Sequence, residues 1–302
     1  PETMNKISNI LVAVDFSDNS ANAVKEAARM AAFHGAALHA THIVTAAEVD
    51  GFKKFFNVTF DSVKGQGGEH LGKFVSAEAP GANFKRHILI GHPVYDLMSL
   101  VEELGADILV MGSRGLSEDD SREIGMMASQ CVRKSPIPVL LVREAHREAF
   151  KHVAACVDFS DASGDALDAA AAFAAQDGAP LSVLHVHSPP WLLPTHVLYD
   201  LQTTPTEEFR HEYEQALSDS MADFLEPVRQ KHPELVIKEE IIEHTSIGYG
   251  ITGFLRDAKI DLAAVGSHGR SFLGRMLLGS NAERIIHHSP CSVLVTKPPG
   301  KE

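Results

Sequence analysis

Short apolar runs alternate with longer segments along the chain, and the same order occurs twice. The runs are nearly continuous in apolar character, which is typical of strands buried inside a parallel sheet. They lie at 10–14, 38–44, 87–92, 107–113 and 138–142 in the first half, and at 152–157, 181–187, 239–244, 261–267 and 291–295 in the second. Because helical segments separate them, each half is expected to be a doubly wound α/β domain.

The two halves are copies of one pattern. In both, an apolar run ends in Val-Asp-Phe-Ser-Asp, and an Ala-rich helix follows that ends at Gly35 or Gly178. A repeat of about 150 residues indicates duplicated domains rather than a solenoid, whose repeats are roughly 20–50 residues long. We therefore expect domain 1 at residues 4–146 and domain 2 at residues 150–298.

The second copy is longer than the first. Asp15 and Asp158 are 143 residues apart, whereas Gly112 and Gly266 are 154 apart, so the second copy has eleven extra residues. We assign them to 188–209, which holds four prolines and the only tryptophan of the chain. This segment is predicted to be a long connection that packs on another surface of the protein, either over the candidate site or on its flank.

The composition is that of a folded protein, with 44% hydrophobic and 22% charged residues. The net charge is −13, with −4 in residues 1–146 and −9 in the remainder, which disfavours nucleic-acid binding. No run of 18 apolar residues occurs, so no membrane contact is expected. The three cysteines have no Cys-x-x-Cys spacing, which favours a reducing, cytoplasmic location.

A glycine pattern follows the fourth apolar run of each half. In the second half it is Gly266, two residues, Gly269, nine residues, and then Gly279 and Ser280. Ligands of open α/β sheets bind beyond the carboxyl ends of the strands, and Gly279 would open a helix whose free N–H groups favour a phosphate. The alternative is an ordinary loop in which Ser280 and Glu283 form a capping box. The pattern is neither a Walker loop nor Gly-x-Gly-x-x-Gly.

The charges within the two glycine patterns differ. The second pattern contains Arg270 and Arg275 and no acid, and it ends in Ser280. The first, at 112–126, contains two arginines against four acidic residues and ends in Met126. A phosphate near the first pattern would meet carboxylates and lack the hydroxyl. We therefore predict an intact anion site in domain 2 and a degenerate one in domain 1.

At these residues the chain resembles the universal stress protein family in its tandem, two-domain form. The resemblance covers nearly the whole chain. It rests on the aspartate that ends the first strand, the glycine spacing, and the proline before the last apolar run. The family implies Rossmann-like or flavodoxin-like domains with five-stranded sheets. It also implies that 138–142 and 291–295 pair with each other in an internal pseudo-dimer, which could pair again as a homodimer.

Some members of the family bind nucleotides, and the resemblance to them implies that ATP, AMP or ADP binds at the glycine pattern, with or without Mg²⁺. Carried over by position, the nucleotide-binding residues of domain 2 are Val157, Asp158, Val186, Val265, Gly266, His268, Gly269, Gly279, Ser280 and Asn281. Asn281 and Ala282 depart from the family's pattern, which usually offers a second hydroxyl at position 282. In domain 1 the matching residues are Asp15, Ile43, Gly112, Gly115 and Gly125, whereas Met126 does not match.

Other chemistries are less well supported by the residues. Seventeen histidines, including His185, His187 and the adjacent pair at 287–288, raise the possibility of a metal site. The spacing shows no convergent set of three or four ligands, so structural roles are favoured. No Gly-x-Ser-x-Gly elbow or Cys-His pairing is visible. Asp158 is expected to bind a ribose hydroxyl rather than act as a base, so slow ATP hydrolysis is the most we expect.

Three functional hypotheses follow. The leading one is a non-enzymatic cytoplasmic stress-response protein that binds an adenine nucleotide in domain 2 and acts as a switch or scaffold. Domain 1 would then serve as a scaffold. The second is a nucleotide-independent interaction module, and the third is a weak ATPase or a metal-dependent hydrolase.

Overall fold

Both halves of the chain follow one order of strands and helices, except that the described residues include two helices between the second and third strands of the first half and one at that place in the second. The computed structural model describes residues 7–55, 59–115, 124–143, 148–189, 191, 206–268 and 278–297. The elements of domain 1 are β1 (Asn9–Ala13), α1 (Asp18–His34), β2 (Ala37–Thr45), α2 (Ala46–Phe55), α3 (Phe60–Glu78), β3 (Phe84–Gly91), α4 (Pro93–Leu104), β4 (Ile108–Gly112), α5 (Met126–Lys134) and β5 (Val139–Val142). Those of domain 2 are β6 (Val153–Cys156), α6 (Asp161–Asp177), β7 (Leu181–His187), α7 (Glu207–Lys231), β8 (Ile237–Glu243), α8 (Ile247–Asp257), β9 (Leu262–Gly266), α9 (Ser280–His288) and β10 (Ser292–Thr296).

The strands of both domains form one continuous sheet. Their order is β3-β2-β1-β4-β5-β10-β9-β6-β7-β8, so each domain contributes five strands. Strands within a domain are parallel, whereas β5 and β10 pair antiparallel, with Val139 opposite Val295 and Leu141 opposite Val293. This pairing confirms the predicted fold class and the internal pseudo-dimer.

Two hydrophobic cores cover the two faces of the sheet. In β1, Ile10 and Val12 belong to the core that includes residues of α1, α3, α6 and α7. Leu11, which points the other way, belongs to the core that includes residues of α4, α5, α8 and α9. Inner strands such as β4 and β9 are covered on both faces and are apolar along their length, whereas the edge strands β3 and β8 contain charged residues.

The first helix of each domain begins and ends as the sequence predicts. Ser17 and Ser160 are the N-cap residues of α1 and α6, and each side chain accepts a hydrogen bond from the backbone three residues later. Gly35 and Gly178 end these helices in the left-handed conformation, with φ of 68° and 63°. Glycine adopts this conformation without the steric cost that a Cβ atom imposes.

Ion pairs and hydrogen bonds between side chains also join the domains. The guanidinium of Arg29 on α1 binds the carboxylate of Asp177, the last residue of α6. On the opposite face Arg133 of α5 pairs with Glu283 of α9. Lys297 Nζ donates to the Val132 carbonyl of α5 at 2.6 Å. Two helix pairs and the central strand pair therefore hold the domains together.

Most of the predicted long connection lies outside the described residues, which omit 190 and 192–205. Trp191 is described, and its ring centroid lies 5.2 Å from that of Tyr213 and 6.0 Å from that of Phe209. Both partners belong to α7, so the tryptophan packs on the domain as expected.

Candidate functional site

A cavity of about 450 Å³ lies at the carboxyl ends of β6, β7 and β9. In the sheet β6 lies between β9 and β7: the chain runs from β6 to β7 and β8 on one side, and the connection after β8 returns to β9 on the other side of β6. This is the point where the strand order reverses, which is where open α/β sheets bind ligands.

The structure brings nine of the ten predicted nucleotide-binding residues together around this cavity. They are Val157, Asp158, Val186, Val265, Gly266, His268, Gly279, Ser280 and Asn281. The tenth, Gly269, lies outside the described residues, and so do Arg270 and Arg275. The cavity is also lined by residues absent from the predicted set, among them Ser163, His185, His187, Ser188, Ile247 and Ile251. His185, His187 and Ser188 lie on β7 or directly after it, beside Val186. Their closeness in sequence to this predicted residue is the signal from which they could have been found.

Asp158 is held in place by the start of α6. Its Oδ1 atom accepts hydrogen bonds from the backbone N–H of Ser160, at 3.1 Å, and from the Ser160 hydroxyl. Ser160 also receives a hydrogen bond from the backbone N–H of Ser163. The repeated Asp-Phe-Ser sequence thus fixes the carboxylate and starts the helix with the same side chains.

The residue after this aspartate has an unusual backbone conformation in both domains. Phe159 has φ of 61° and its counterpart Phe16 has φ of 67°, in the left-handed region that bulky residues rarely adopt. The Phe159 ring lies 4.4 Å from the ring of His185, whose Nδ1 is 2.9 Å from the Val157 carbonyl oxygen. Such strain of about 1–3 kcal/mol persists only where surrounding contacts fix it. We therefore assign His185, whose ring packs at an angle against that of Phe159, a supporting role beside the cavity.

The first glycine of the pattern has a packing role. A Cβ atom on Gly266 would lie 2.8 Å from the carbonyl oxygen of Ala162 and 3.0 Å from its carbonyl carbon. In domain 1 a Cβ on Gly112 would lie 2.7 Å from the Cβ of Asn19. The end of the fourth strand therefore contacts the start of the first helix so closely that no side chain fits between them.

The start of α9 differs from the capping-box alternative. Gly279 is the N-cap residue, and no side-chain hydrogen bond caps the helix. Its N–H donates to the Ser267 carbonyl at 2.8 Å, and its carbonyl accepts from the Glu283 N–H at 2.8 Å. Ser280 is therefore the first helical residue, not the cap, and the capping-box hypothesis is wrong. Ser280 and Asn281 are both exposed at the edge of the cavity.

Two further titratable groups line the cavity. Burial lowers the pKa of His187, whose Nδ1 lies 3.3 Å from the Tyr213 hydroxyl. Burial raises the pKa of the Cys156 thiol to about 12. The thiol is therefore protonated at neutral pH and is a poor nucleophile. Cys131 and Cys291 are also buried, and neither forms a disulfide bond.

Domain 1 has a cavity of about 520 Å³ at the equivalent position. The five residues that match the family pattern in this domain all line it, and they are Asp15, Ile43, Gly112, Gly115 and Gly125. The acidic residues at 118–123 that distinguish the two glycine patterns lie outside the described residues. Within the described residues, the difference that supports a degenerate site is the first residue of the helix, which is Met126 in α5 and Ser280 in α9.

Within the described residues, no group of three or more His, Cys, Asp and Glu side chains is arranged to hold a metal ion. The same residues include no helix that is both long enough and apolar enough to span a membrane.

The model of the universal stress protein family matches the chain twice, at residues 6–143 and 149–297. The chain belongs to the universal stress protein family. A universal stress protein of Mycolicibacterium smegmatis is 26% identical over 299 residues, which are 96% of this chain and 97% of the relative. Universal stress protein A homolog 1 of Coxiella burnetii is 33% identical over 153 residues, which are 48% of this chain and 94% of the relative.

Solved structures share the two-domain fold of this universal stress protein over its whole length. A protein of unknown function from Pseudomonas aeruginosa has a TM-score of 0.68 and 16% identity, and the alignment covers 98% of this chain and 94% of that chain. A universal stress protein from Archaeoglobus fulgidus has a TM-score of 0.65 and 16% identity, with 97% and 98% covered. At this identity the likeness concerns the fold alone.

Proposed function

We propose that domain 2 binds an adenine nucleotide, ATP or its products ADP and AMP, and that the protein acts as a nucleotide-dependent switch or scaffold. The observation that carries the proposal is the convergence of nine predicted residues on one cavity at the point where the strand order reverses. Its volume of about 450 Å³ falls in the range of small-molecule sites, roughly 300–1,000 Å³.

Each part of the nucleotide has a matching part of the cavity. Val157 and Val186 offer apolar surface to the base. Asp158 is a hydrogen-bond acceptor held by Ser160, and it suits the hydroxyl pair of a ribose. Ser280 adds a hydroxyl donor to the first N–H groups of α9, where the helix dipole favours an anion. Apolar surface at one end and donors at the other suit a nucleoside phosphate.

The residues favour binding over hydrolysis. Oδ1 of Asp158 already accepts two hydrogen bonds from Ser160, so the carboxylate is oriented as an acceptor rather than as a base for water. Mg²⁺ would be held mainly by the phosphates, because this cation keeps several waters and takes few protein ligands. Among the described lining residues Asp158 is the one carboxylate, and the other side-chain oxygens are neutral. We infer a binding protein that is not an enzyme.

A nucleotide at the start of α9 would affect the contact between domains. Glu283 in the first turn of α9 pairs with Arg133 of α5. Any displacement of this turn on phosphate binding changes that ion pair. This connection supports the switch role. The three buried, unpaired cysteines support a cytoplasmic location.

Calorimetric titration of the full chain with ATP tests the proposal. We expect saturable binding of ATP, loss of it in Asp158→Ala, and retention in the matched variant Asp15→Ala. Both aspartates make the same hydrogen bonds to the serine two residues later, so the pair controls for effects on folding. The absence of saturable heat at millimolar ATP, or ATP binding unaffected by Asp158→Ala, would reject the proposal.

A further inference from the structure

The two outermost strands of the sheet carry opposite charges. Within the described residues no strand lies beyond β3 or β8, so each presents unpaired backbone groups along one side. β3 contains Lys85 and Arg86 and no acidic residue, whereas β8 contains three glutamates and one lysine. We propose that the edge of β3 binds the edge of β8 of a second copy of this chain, so that copies join head to tail in one extended sheet.

The directions of the strands suit this pairing. Strands within each domain are parallel, and β5 and β10 are antiparallel, so β3 and β8 run in opposite directions. Two copies placed side by side in the same orientation therefore bring β3 of one against β8 of the next as an antiparallel pair. Each face of the first sheet then continues into the same face of the second. The two domains of one chain are already joined by antiparallel edge pairing of this kind.

One register matches the apolar side chains on the face that α1, α3, α6 and α7 cover. On β3, Phe84 belongs to the core of this face and Ile88 packs against it. On β8, Ile237 and Ile241 pack against the same core. Residues directly opposite each other in an antiparallel pair share a face. If Ile88 lies opposite Ile237 of the second copy, Phe84 falls opposite Ile241, and both pairs are apolar.

The same register sets opposite charges against each other. Between the two apolar pairs, Arg86 falls opposite Glu239 of the second copy, and on the other face Lys85 falls opposite Glu240. Opposite charges in directly facing positions stabilise a strand pair, whereas like charges destabilise it. Glu239 also pairs with Arg229 of its own chain, so the Lys85–Glu240 pair is the one whose charges we exchange in the test below.

The next positions along the strands are compatible with this register. Leu89 falls opposite Val236, whose 62% exposure is high for an apolar residue and would decrease on pairing. His87 falls opposite Lys238. Burial is the main cause that lowers the pKa of His87, so the ring is neutral at pH 7 and does not repel the lysine.

Open space lies beside the edge of β3 on both faces. A cavity of about 380 Å³ is lined by Leu89, Ile90 and residues of α3 and α4. A second cavity of about 380 Å³ is lined by Arg86, Ile88 and residues of α3, among them Gly68. The helices on the two faces therefore leave room beside β3 for the side chains of an added strand.

Sedimentation velocity of the full-length protein tests the proposal at physiological ionic strength, which screens the repulsion between copies that each carry a charge of −13. Head-to-tail contacts leave a free edge at each end, so the average mass should rise steadily between about 1 and 100 μM chain. Lys85→Glu and Glu240→Lys each set like charges opposite each other, and each should weaken association at least about fivefold. Lys151→Glu is the matched control, because this exposed residue precedes β6 in the middle of the sheet.

A mixture of the two charge variants provides the decisive comparison. Association should return towards that of the unchanged protein, because the new carboxylate of one variant meets the new ammonium group of the other. Thermal melts check folding, and Val236→Lys, with the exposed Phe33→Lys as its control, is a further variant that should weaken association. The inference is overturned by a protein that remains a single chain at about 100 μM, by association that neither charge variant weakens, or by a mixture that associates no better than its components.

Discussion

The contact between α1 and α6 predicts a large loss of stability when a single cation is removed. The guanidinium of Arg29 binds both oxygens of Asp177, at 2.7 and 2.8 Å, and both oxygens of Glu26, at 3.0 and 3.1 Å. The side chains of Asp177 and Glu26 are 0% exposed. Burial acts to lower the pKa of Arg29, but the hydrogen bonds and charges of the two carboxylates raise it above its ordinary value.

Arg29→Met keeps the aliphatic length and removes the charge. Two buried carboxylates then lose their cation, although Asp177 retains the backbone N–H of Phe150 at 2.6 Å. Breaking a buried ion pair costs about 3–5 kcal/mol. The Arg29 side chain is 32% exposed, so water can reach the site and replace part of the lost interaction with the carboxylates. We therefore expect the free energy of unfolding to fall by about 3 kcal/mol, at the lower end of that range.

Urea unfolding at pH 7, followed by circular dichroism, measures this loss. Because the two domains can unfold separately, the readout is the midpoint of the first transition. Lys25→Met is the matched control on the same helix, since Lys25 pairs with Glu78 at the surface and its side chain is 40% exposed. Such exposed pairs contribute less than about 1 kcal/mol. If Arg29→Met costs no more than Lys25→Met, the reasoning about the buried carboxylates is wrong.

Three further predictions concern packing, pH and thiol chemistry. Gly266→Ala should lower the free energy of unfolding by about 1–3 kcal/mol in denaturant titrations, because its Cβ meets backbone atoms; Gly253→Ala, with open space, should not destabilise. Burial is the main cause that lowers the pKa values of His39 and His87, whose ring nitrogens lie 3.1 Å apart. As the pH falls through about 6.5, the unfolded chain therefore takes up more protons at these two residues than the folded chain does. Stability should therefore decrease from pH 7 to pH 5.5, and by a smaller amount in His87→Gln; equal decreases in urea unfolding would contradict this. Burial raises the pKa values of all three thiols to about 12, so a thiol reagent at pH 8 should label the native protein far more slowly than the unfolded one, at Cys131, Cys156 and Cys291.

The fold could be predicted from the sequence because its signals are local and occur twice. Apolar runs such as 38–44 and 181–187 became β2 and β7, and Gly35 and Gly178 ended helices where expected. The antiparallel pairing of β5 with β10 came from the family resemblance, since an apolar run does not state its partner. Repetition of one pattern thus made the fold of each domain predictable from the residues, whereas the pairing of the two domains was not.

The details of the site depended on tertiary contacts that a pattern does not contain. Ser280 carried the signal of an N-cap, yet Gly279 takes that position, and its N–H donates to the carbonyl of Ser267, the residue that follows β9. The left-handed conformation of Phe159 could not be foreseen, since a phenylalanine normally avoids it. It follows from the packing of the Phe159 ring against His185 and from the turn that the hydrogen bonds of Asp158 fix. Nine lining residues of the cavity were in the predicted set, whereas lining residues such as His185 and Ile251 and the contacts that support the site were not.

A crystal structure of the full chain with bound ATP tests the central claim most directly. The account predicts density in the domain 2 cavity, with the ribose hydroxyls at Asp158 and the phosphates at the first turn of α9, within hydrogen-bonding distance of Ser280. ATP bound in the domain 1 cavity alone, or bound in domain 2 with its phosphates away from α9, would contradict it.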